Sequence, residues 1–355
     1  MKDELARPAV AAIPEYVPGK TPREPGVIKL ASNENPFGPS PRALAAIAKE
    51  AKSLQIYPDQ KALLLREALA KKFGLTADHV VCGNGEDDLL QIVGATYLNP
   101  GDEVVISEHA FSVYELVARL FDAPRTFVPL KGRALDLDAL AAAVTVKTKM
   151  VFLTNPNNPT GTAFTAGQLA AFLDRVPAHT LVVIDEAYAE FAESREFPDA
   201  LKYVKEARSV LVLRTFSKFY GLAGLRLGYA LGKPELVAPM LKTKMPFNVN
   251  RLAQAGGLAA LEDKAFLEKT LRNNSDGKKY LYAELDKLGL SYQKTEANFI
   301  FIDLKRPADE FFMEMMKRRV VIRPLTSFGL PQAVRVSIGT PEQNRKFIES
   351  LKELC

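Results

Sequence analysis

Leu181-Val182-Val183-Ile184-Asp185-Glu186-Ala187-Tyr188 sets four apolar β-formers directly against two acids and a tyrosine. The run does not alternate, so it reads as a strand buried on both faces that ends in polar side chains. Two other stretches repeat the pattern. Residues 150–154 lead into Asn155-Pro156-Asn157-Asn158-Pro159-Thr160-Gly161, and residues 210–213 lead into Thr215-Phe216-Ser217-Lys218. Further strands are expected at 79–82, ahead of Gly83-Asn84-Gly85, and within 101–107, with helices near 86–98 and 111–121. This alternation predicts an α/β fold with a mainly parallel sheet covered by helices. In such sheets ligands sit just beyond the carboxyl ends of the strands. Asn158 alone would pass for part of a turn, Asp185 for a helix cap and Lys218 for a surface lysine. Delivered together by successive strand ends, they read as one site.

Outward from this centre the chain changes character. The first 35 residues are rich in proline and read as an extended arm. Ser40-Pro41 is a cap followed by a first-turn proline, and a helix is expected over 42–52. A second helix over 61–73 is closed by Gly74. Beyond Met245 the pattern becomes a long helix over 264–287, strands at 298–303, 320–323 and 334–338, and helices at 309–319 and after Thr340-Pro341. The expected division is an arm at 1–35, associated with the small domain or a dimer, a large domain at 36–245 and a small α+β domain at 246–355.

Composition narrows the function. The 355 residues carry 47 Lys+Arg against 42 Asp+Glu, a net charge of +5. No basic block accompanies it, so no nucleic-acid partner is expected. Two cysteines and three dispersed histidines support neither a disulfide framework nor a metal site. A cytoplasmic setting is expected, without a secretory signal. The longest uncharged stretch is interrupted by the Asn/Pro-rich turn at 155–161, so no membrane span is expected.

A lysine at a strand end can form a Schiff base with an aldehyde. Pyridoxal 5'-phosphate is the common aldehyde cofactor, and it needs more than a lysine. It needs a carboxylate against its ring nitrogen, which Asp185 supplies, and donors to its ring oxygen, which Tyr188 and Asn158 supply. It needs an anion cradle, which Gly85, Glu86 and Asp87 offer between a strand and a helix start, with Ser217 and Arg226 adding a hydroxyl and a fixed charge. The Glu86 and Asp87 carboxylates are expected to turn away from the phosphate. Tyr114 is expected to stack on the ring.

Ser217-Lys218-Phe219-Tyr220-Gly221-Leu222-Ala223-Gly224-Leu225-Arg226, with Asn-Pro-Thr-Gly and Asp-Glu-Ala-Tyr upstream, resembles the lysine signature of class II pyridoxal-phosphate aminotransferases of fold type I. Within that class the chain is similar to the histidinol-phosphate aminotransferase family. The added matches are Leu30-Ala31-Ser32-Asn33-Glu34-Asn35-Pro36-Phe37-Gly38, Tyr57-Pro58-Asp59, Cys82-Gly83-Asn84-Gly85 and Arg335-Val336-Ser337-Ile338-Gly339-Thr340. The resemblance implies the fold type I architecture, with Lys218 holding the cofactor and moving the substrate proton. It implies a homodimer in which Tyr57 reaches the neighbouring subunit's cofactor phosphate. It implies that Arg335 grips the substrate carboxylate, and that Arg323 and Tyr16 contact a distal phosphate. The implied reaction takes histidinol phosphate and 2-oxoglutarate to imidazole acetol phosphate and glutamate. The sequence departs from the family in Glu86, where serine or alanine is common, and in Phe219-Tyr220. An aromatic amino-acid aminotransferase, a pyridoxal-phosphate lyase or decarboxylase, and a non-catalytic binding protein remain as alternative readings.

Overall fold

The computed structural model describes residues 5, 7–11, 13, 15 and 24–354. Tyr16 lies outside the described residues.

The apolar runs build a seven-stranded sheet from β2 (Val80–Gly83), β3 (Glu103–Ser107), β4 (Arg125–Val128), β5 (Thr148–Thr154), β6 (Leu181–Asp185), β7 (Val210–Thr215) and β8 (Gly228–Gly232). Their spatial order is β2-β8-β7-β6-β5-β3-β4, and only β8 runs against its two neighbours. Alternate residues feed two apolar layers. Val151, Leu153, Val182, Ile184, Val210 and Val212 face one side, and Met150, Phe152, Leu181, Val183, Leu211 and Leu213 face the other. That double burial is why the strands carry no polar alternation.

Helices cover both faces: α2 (Pro41–Glu50), α3 (Leu63–Phe73), α4 (Glu86–Tyr97), α5 (Ser112–Leu120), α6 (Leu137–Ala142), α7 (Ala166–Arg175), α8 (Leu201–Lys205), α9 (Pro234–Thr243) and α10 (Arg251–Glu262), preceded by the short α1 (Pro8–Ala11). Ser40 caps α2 through its side chain and Pro41 opens it; Gly74 ends α3 in the left-handed conformation, as their residue types dictate.

The smaller body holds α11 (Lys264–Lys287), α12 (Ala308–Lys317) and α13 (Pro341–Lys352) around an antiparallel sheet of order β12-β13-β10-β9. Its strands are β9 (Ser291–Gln293), β10 (Phe299–Asp303), β12 (Arg323–Pro324) and β13 (Ala333–Ser337). From the N-terminal side, β1 (Ile28–Lys29) pairs in parallel with β11 (Val320–Val321). Ala253 and Ala260 of α10 belong to the large apolar core, and Gly256 packs closely on Ile47 and Leu225. We therefore propose that the division between the domains falls near Asp263, the cap of α11, rather than at 245.

Among the described residues no helix is long and apolar enough to cross a membrane, and no group of three His, Cys, Asp or Glu side chains converges as a metal site.

Candidate active site

In-register pairing aligns the strand ends. Thr154 of β5 pairs with Asp185 of β6, and Asp185 with Leu213 of β7. The chain leaves the sheet at this level three times in succession, so Asn158, Tyr188, Ser217 and Lys218 reach one cavity of about 260 Å³. Glu86, Asp87, Phe111, Asp185, Arg226, Arg323 and Arg335 also line it.

Lys218 Nζ donates to the Ser32 carbonyl oxygen at 3.1 Å. Burial, and then the Arg335 charge, lower its pKa to about 8. Asp185 is anchored from behind. Its Oδ2 accepts from the Tyr114 hydroxyl, and its Oδ1 accepts from the Ala187 N–H at 3.0 Å. Burial raises its pKa, and these donors oppose the rise. Tyr188 accepts from Asn33 Nδ2 at 3.0 Å and sets its ring edge against Phe299. Burial pushes its hydroxyl up to about 12.

The anion cradle lies at the start of α4, whose first backbone N–H groups have no partner within the helix. Gly85 caps it at φ +86°, and a Cβ there would come within 2.6 Å of Arg226 Nη2, so only glycine lets the arginine close over the turn. Arg226 Nη2 donates to Asp87 Oδ2 at 3.1 Å. Ser217 Oγ accepts from Thr215 Oγ1 at 3.0 Å.

Across the cavity, strand pairing sets Arg323 opposite Arg335. Arg335 donates to Asn158 Oδ1 and, at 2.9 Å, to the Ala31 carbonyl oxygen. Arg323 donates to Ser327 Oγ at 3.3 Å and is nine-tenths buried.

Several expectations change. Tyr114 does not line the cavity. It sits on the inner face of α5, stacked on Phe152 at 4.8 Å between ring centroids, with its hydroxyl behind Asp185. Phe111, three residues earlier in the loop ahead of α5, does line the cavity, together with Tyr188 and Phe328. The Glu86 and Asp87 side chains both line the cavity: Asp87 pairs with Arg226, and Glu86 is buried against Asp185. Tyr57 is 77% exposed and stacks on Phe247, outside this chain's cavity. Asn33 carries a cavity role that the sequence reading left without one. Its left-handed backbone, its side-chain amide donating to Tyr188, its backbone N–H donating to Ser337 Oγ and its carbonyl oxygen accepting from Asn298 Nδ2 tie the segment around Ser32 to both domains.

The family profile described as "Aminotransferase class I and II" matches residues 25–351. This chain belongs to the class I and II aminotransferases. Relatives within these aminotransferases bear the name histidinol-phosphate aminotransferase. The one from Symbiobacterium thermophilum is 48% identical over 98% of this chain and 97% of its own length. The one from Moorella thermoacetica is 45% identical over 98% and 92%. The crystal structure of the Sinorhizobium meliloti histidinol-phosphate aminotransferase in complex with pyridoxal-5'-phosphate superposes with a TM-score of 0.89, at 26% identity and 99% coverage of both chains. The two-domain aminotransferase fold type I therefore holds here, with its mixed seven-stranded sheet and smaller antiparallel sheet.

Proposed function

We propose that this aminotransferase uses pyridoxal 5'-phosphate to move the amino group of histidinol phosphate to 2-oxoglutarate, a step of histidine biosynthesis. The carrying observation is the Lys218 amine, its pKa lowered to about 8, in one cavity with a buried Asp185 and a glycine-capped anion cradle. The residues present fit the cofactor. The α4 amides, Ser217 and Arg226 suit its phosphate, Asp185 its pyridine nitrogen, Tyr188 and Asn158 its ring oxygen, and Phe111 supplies an aromatic face.

When bound, the cofactor supplies an electron sink for the carbanion formed at the substrate α-carbon. The remaining work belongs to the chain. Lys218 Nζ, partly neutral near neutral pH, removes the α-proton of the amino donor and holds it for return, as base and then acid. Arg335 offers two N–H groups in a plane to the α-carboxylate. Arg323, paired beside it, faces the donor's distal phosphate. Tyr188 orients the ring oxygen from a position fixed by Asn33.

The same proposal includes a cytoplasmic homodimer in which Tyr57 serves the partner's cradle. Exposed Leu54, Ile56, Tyr57, Leu64, Met245 and Phe247 support an apolar surface in need of cover.

The test is a half-reaction panel. The cofactor-loaded protein is mixed with histidinol phosphate, phenylalanine, tyrosine or glutamate without acceptor, and the visible absorbance is followed. Fast bleaching with histidinol phosphate and stoichiometric pyridoxamine phosphate are expected. Arg323→Leu should slow histidinol phosphate about a hundredfold and phenylalanine less than about threefold. Equal losses, or elimination products in place of pyridoxamine phosphate, would refute the assignment.

A further inference from the structure

Glu86 opens α4, and its side chain stays out of solvent. The residue is 9% exposed, lines the cavity and reaches the Asp185 carboxyl in hydrogen-bonding contact. Its Oε1 is buried without a hydrogen-bond partner among the described residues. Two carboxylates in contact and away from water do not both keep a charge, so the pair holds a proton. The surroundings say where. Asp185 accepts from Tyr114 and from the Ala187 N–H, which favours its anion. Glu86 has no such donors, and burial followed by the Asp185 charge pushes its pKa well up. The groups facing it are Asp185 from β6, Asp87 from its own helix, Lys218 after β7, Tyr114 from α5 and Tyr188 after β6; among these only Lys218 favours ionisation. The α4 dipole pulls the other way, but it shares that pull with any anion in the cradle.

We propose that Glu86 is a positioning residue for the cofactor: as a neutral acid it donates a hydrogen bond to the Asp185 carboxylate and holds that carboxylate charged and oriented toward the pyridine nitrogen. The inference rests on the pyridoxal-phosphate reading above. It also explains how an acid is tolerated at the first position of a phosphate cradle. A charged Glu86 would repel the phosphate, whereas a neutral one does not.

Two variants separate donation from bulk. Glu86→Gln keeps a donor, and Glu86→Ala removes it. Titration of each apoprotein with pyridoxal phosphate should show the alanine variant weaker by about tenfold and the glutamine variant within about twofold of wild type. The alanine loss should be larger near pH 6 than near pH 8, because Asp185 without its donor protonates at a higher pH. Melting of the apoproteins supplies a readout independent of cofactor. A carboxyl whose pKa rises on folding contributes stability at low pH that is lost as pH rises toward its folded value, so wild type should lose melting temperature relative to Glu86→Gln as pH rises above the ordinary glutamate range.

Tighter cofactor binding by the alanine variant would overturn the proposal, since Glu86 would then be repelling the phosphate. Equal losses in both variants would overturn it too, as would a melting difference independent of pH. If the wild-type apoprotein bound no pyridoxal phosphate, the functional reading would fall, while the melting comparison would still decide whether Glu86 carries the proton.

Discussion

The Tyr114 hydroxyl donates to the Asp185 carboxylate from inside the core, on the side of the acid away from the cavity. The ring stacks on Phe152, and the same hydroxyl lies 3.0 Å from Thr154 Oγ1. The acid that faces the cavity is thus fixed by a residue that never enters it. Tyr114→Phe keeps the stack and deletes the donor. Cofactor affinity should fall about tenfold, and more steeply toward acid pH, because the lost hydrogen bond had been lowering the Asp185 pKa. Titration of the apoprotein at several pH values checks this; an affinity equal to wild type throughout would show the bond to be idle.

Lys218 gives a pH prediction with a defined sign. Only the neutral amine attacks an aldehyde, so the initial rate of yellow adduct formation in the apoprotein should rise with pH through about 8. The Arg335 charge is one cause of the lowered value. Arg335→Gln should therefore move the inflection upward, toward the ordinary lysine range. An unmoved inflection would mean that burial alone sets it.

Phe111 and Tyr114 should separate in their effects. Phe111→Leu removes a half-buried ring at the cavity wall, so cofactor affinity should drop by about fivefold with little change in melting. Tyr114→Leu opens the core behind the sheet and should cost about 2–4 kcal/mol of stability. Denaturant unfolding of the two apoproteins distinguishes them. If Phe111→Leu were the more destabilised, their roles would be reversed.

Tyr57 is exposed within one chain, so Tyr57→Ala should change that chain's intrinsic stability by no more than about 0.5 kcal/mol. Its proposed place at a partner's cradle predicts weaker retention of pyridoxal phosphate on gel filtration, with the dimer retained. Unchanged retention would argue against the shared cradle.

The parts of the fold legible in the sequence are those where burial and chemistry coincide. The runs ending at Thr154, Asp185 and Thr215 are buried on both faces, so apolar composition alone marks them as strands and their polar ends as a site. β8 escaped because it begins and ends in glycine and runs against the sheet. β4 escaped because it is an edge strand with exposed Thr126 and Phe127. Tyr114 looked like a stacking residue until the start of α5 at Ser112 was known; Val113, Tyr114, Val117 and Ala118 then share the buried face. Glu86 followed the rule that acids suit a helix start, but that rule says nothing about which way the carboxyl points. The Asp185 carboxyl, at the end of β6, decides it. The boundary we propose near Asp263 has no mark in the sequence of α10, whose small residues carry no signal of the surface they pack on.

Lys218 Nζ is bonded to the carbonyl of Ser32, 186 positions earlier, and Asn35 Nδ2 reaches the Phe219 carbonyl oxygen at 2.9 Å. Gly221 lies so close to Gly38 that a Cβ would come within 2.2 Å of the Gly38 carbonyl oxygen. Residues 31–34 are therefore a wall of the reaction chamber contributed from far upstream in the chain, and Asn35 and Gly38 pin that wall to the turn that follows Lys218. Trimming the chain past residue 30 would unseat the reactive amine even though every catalytic side chain remained, so an engineered truncation has to stop before that wall begins.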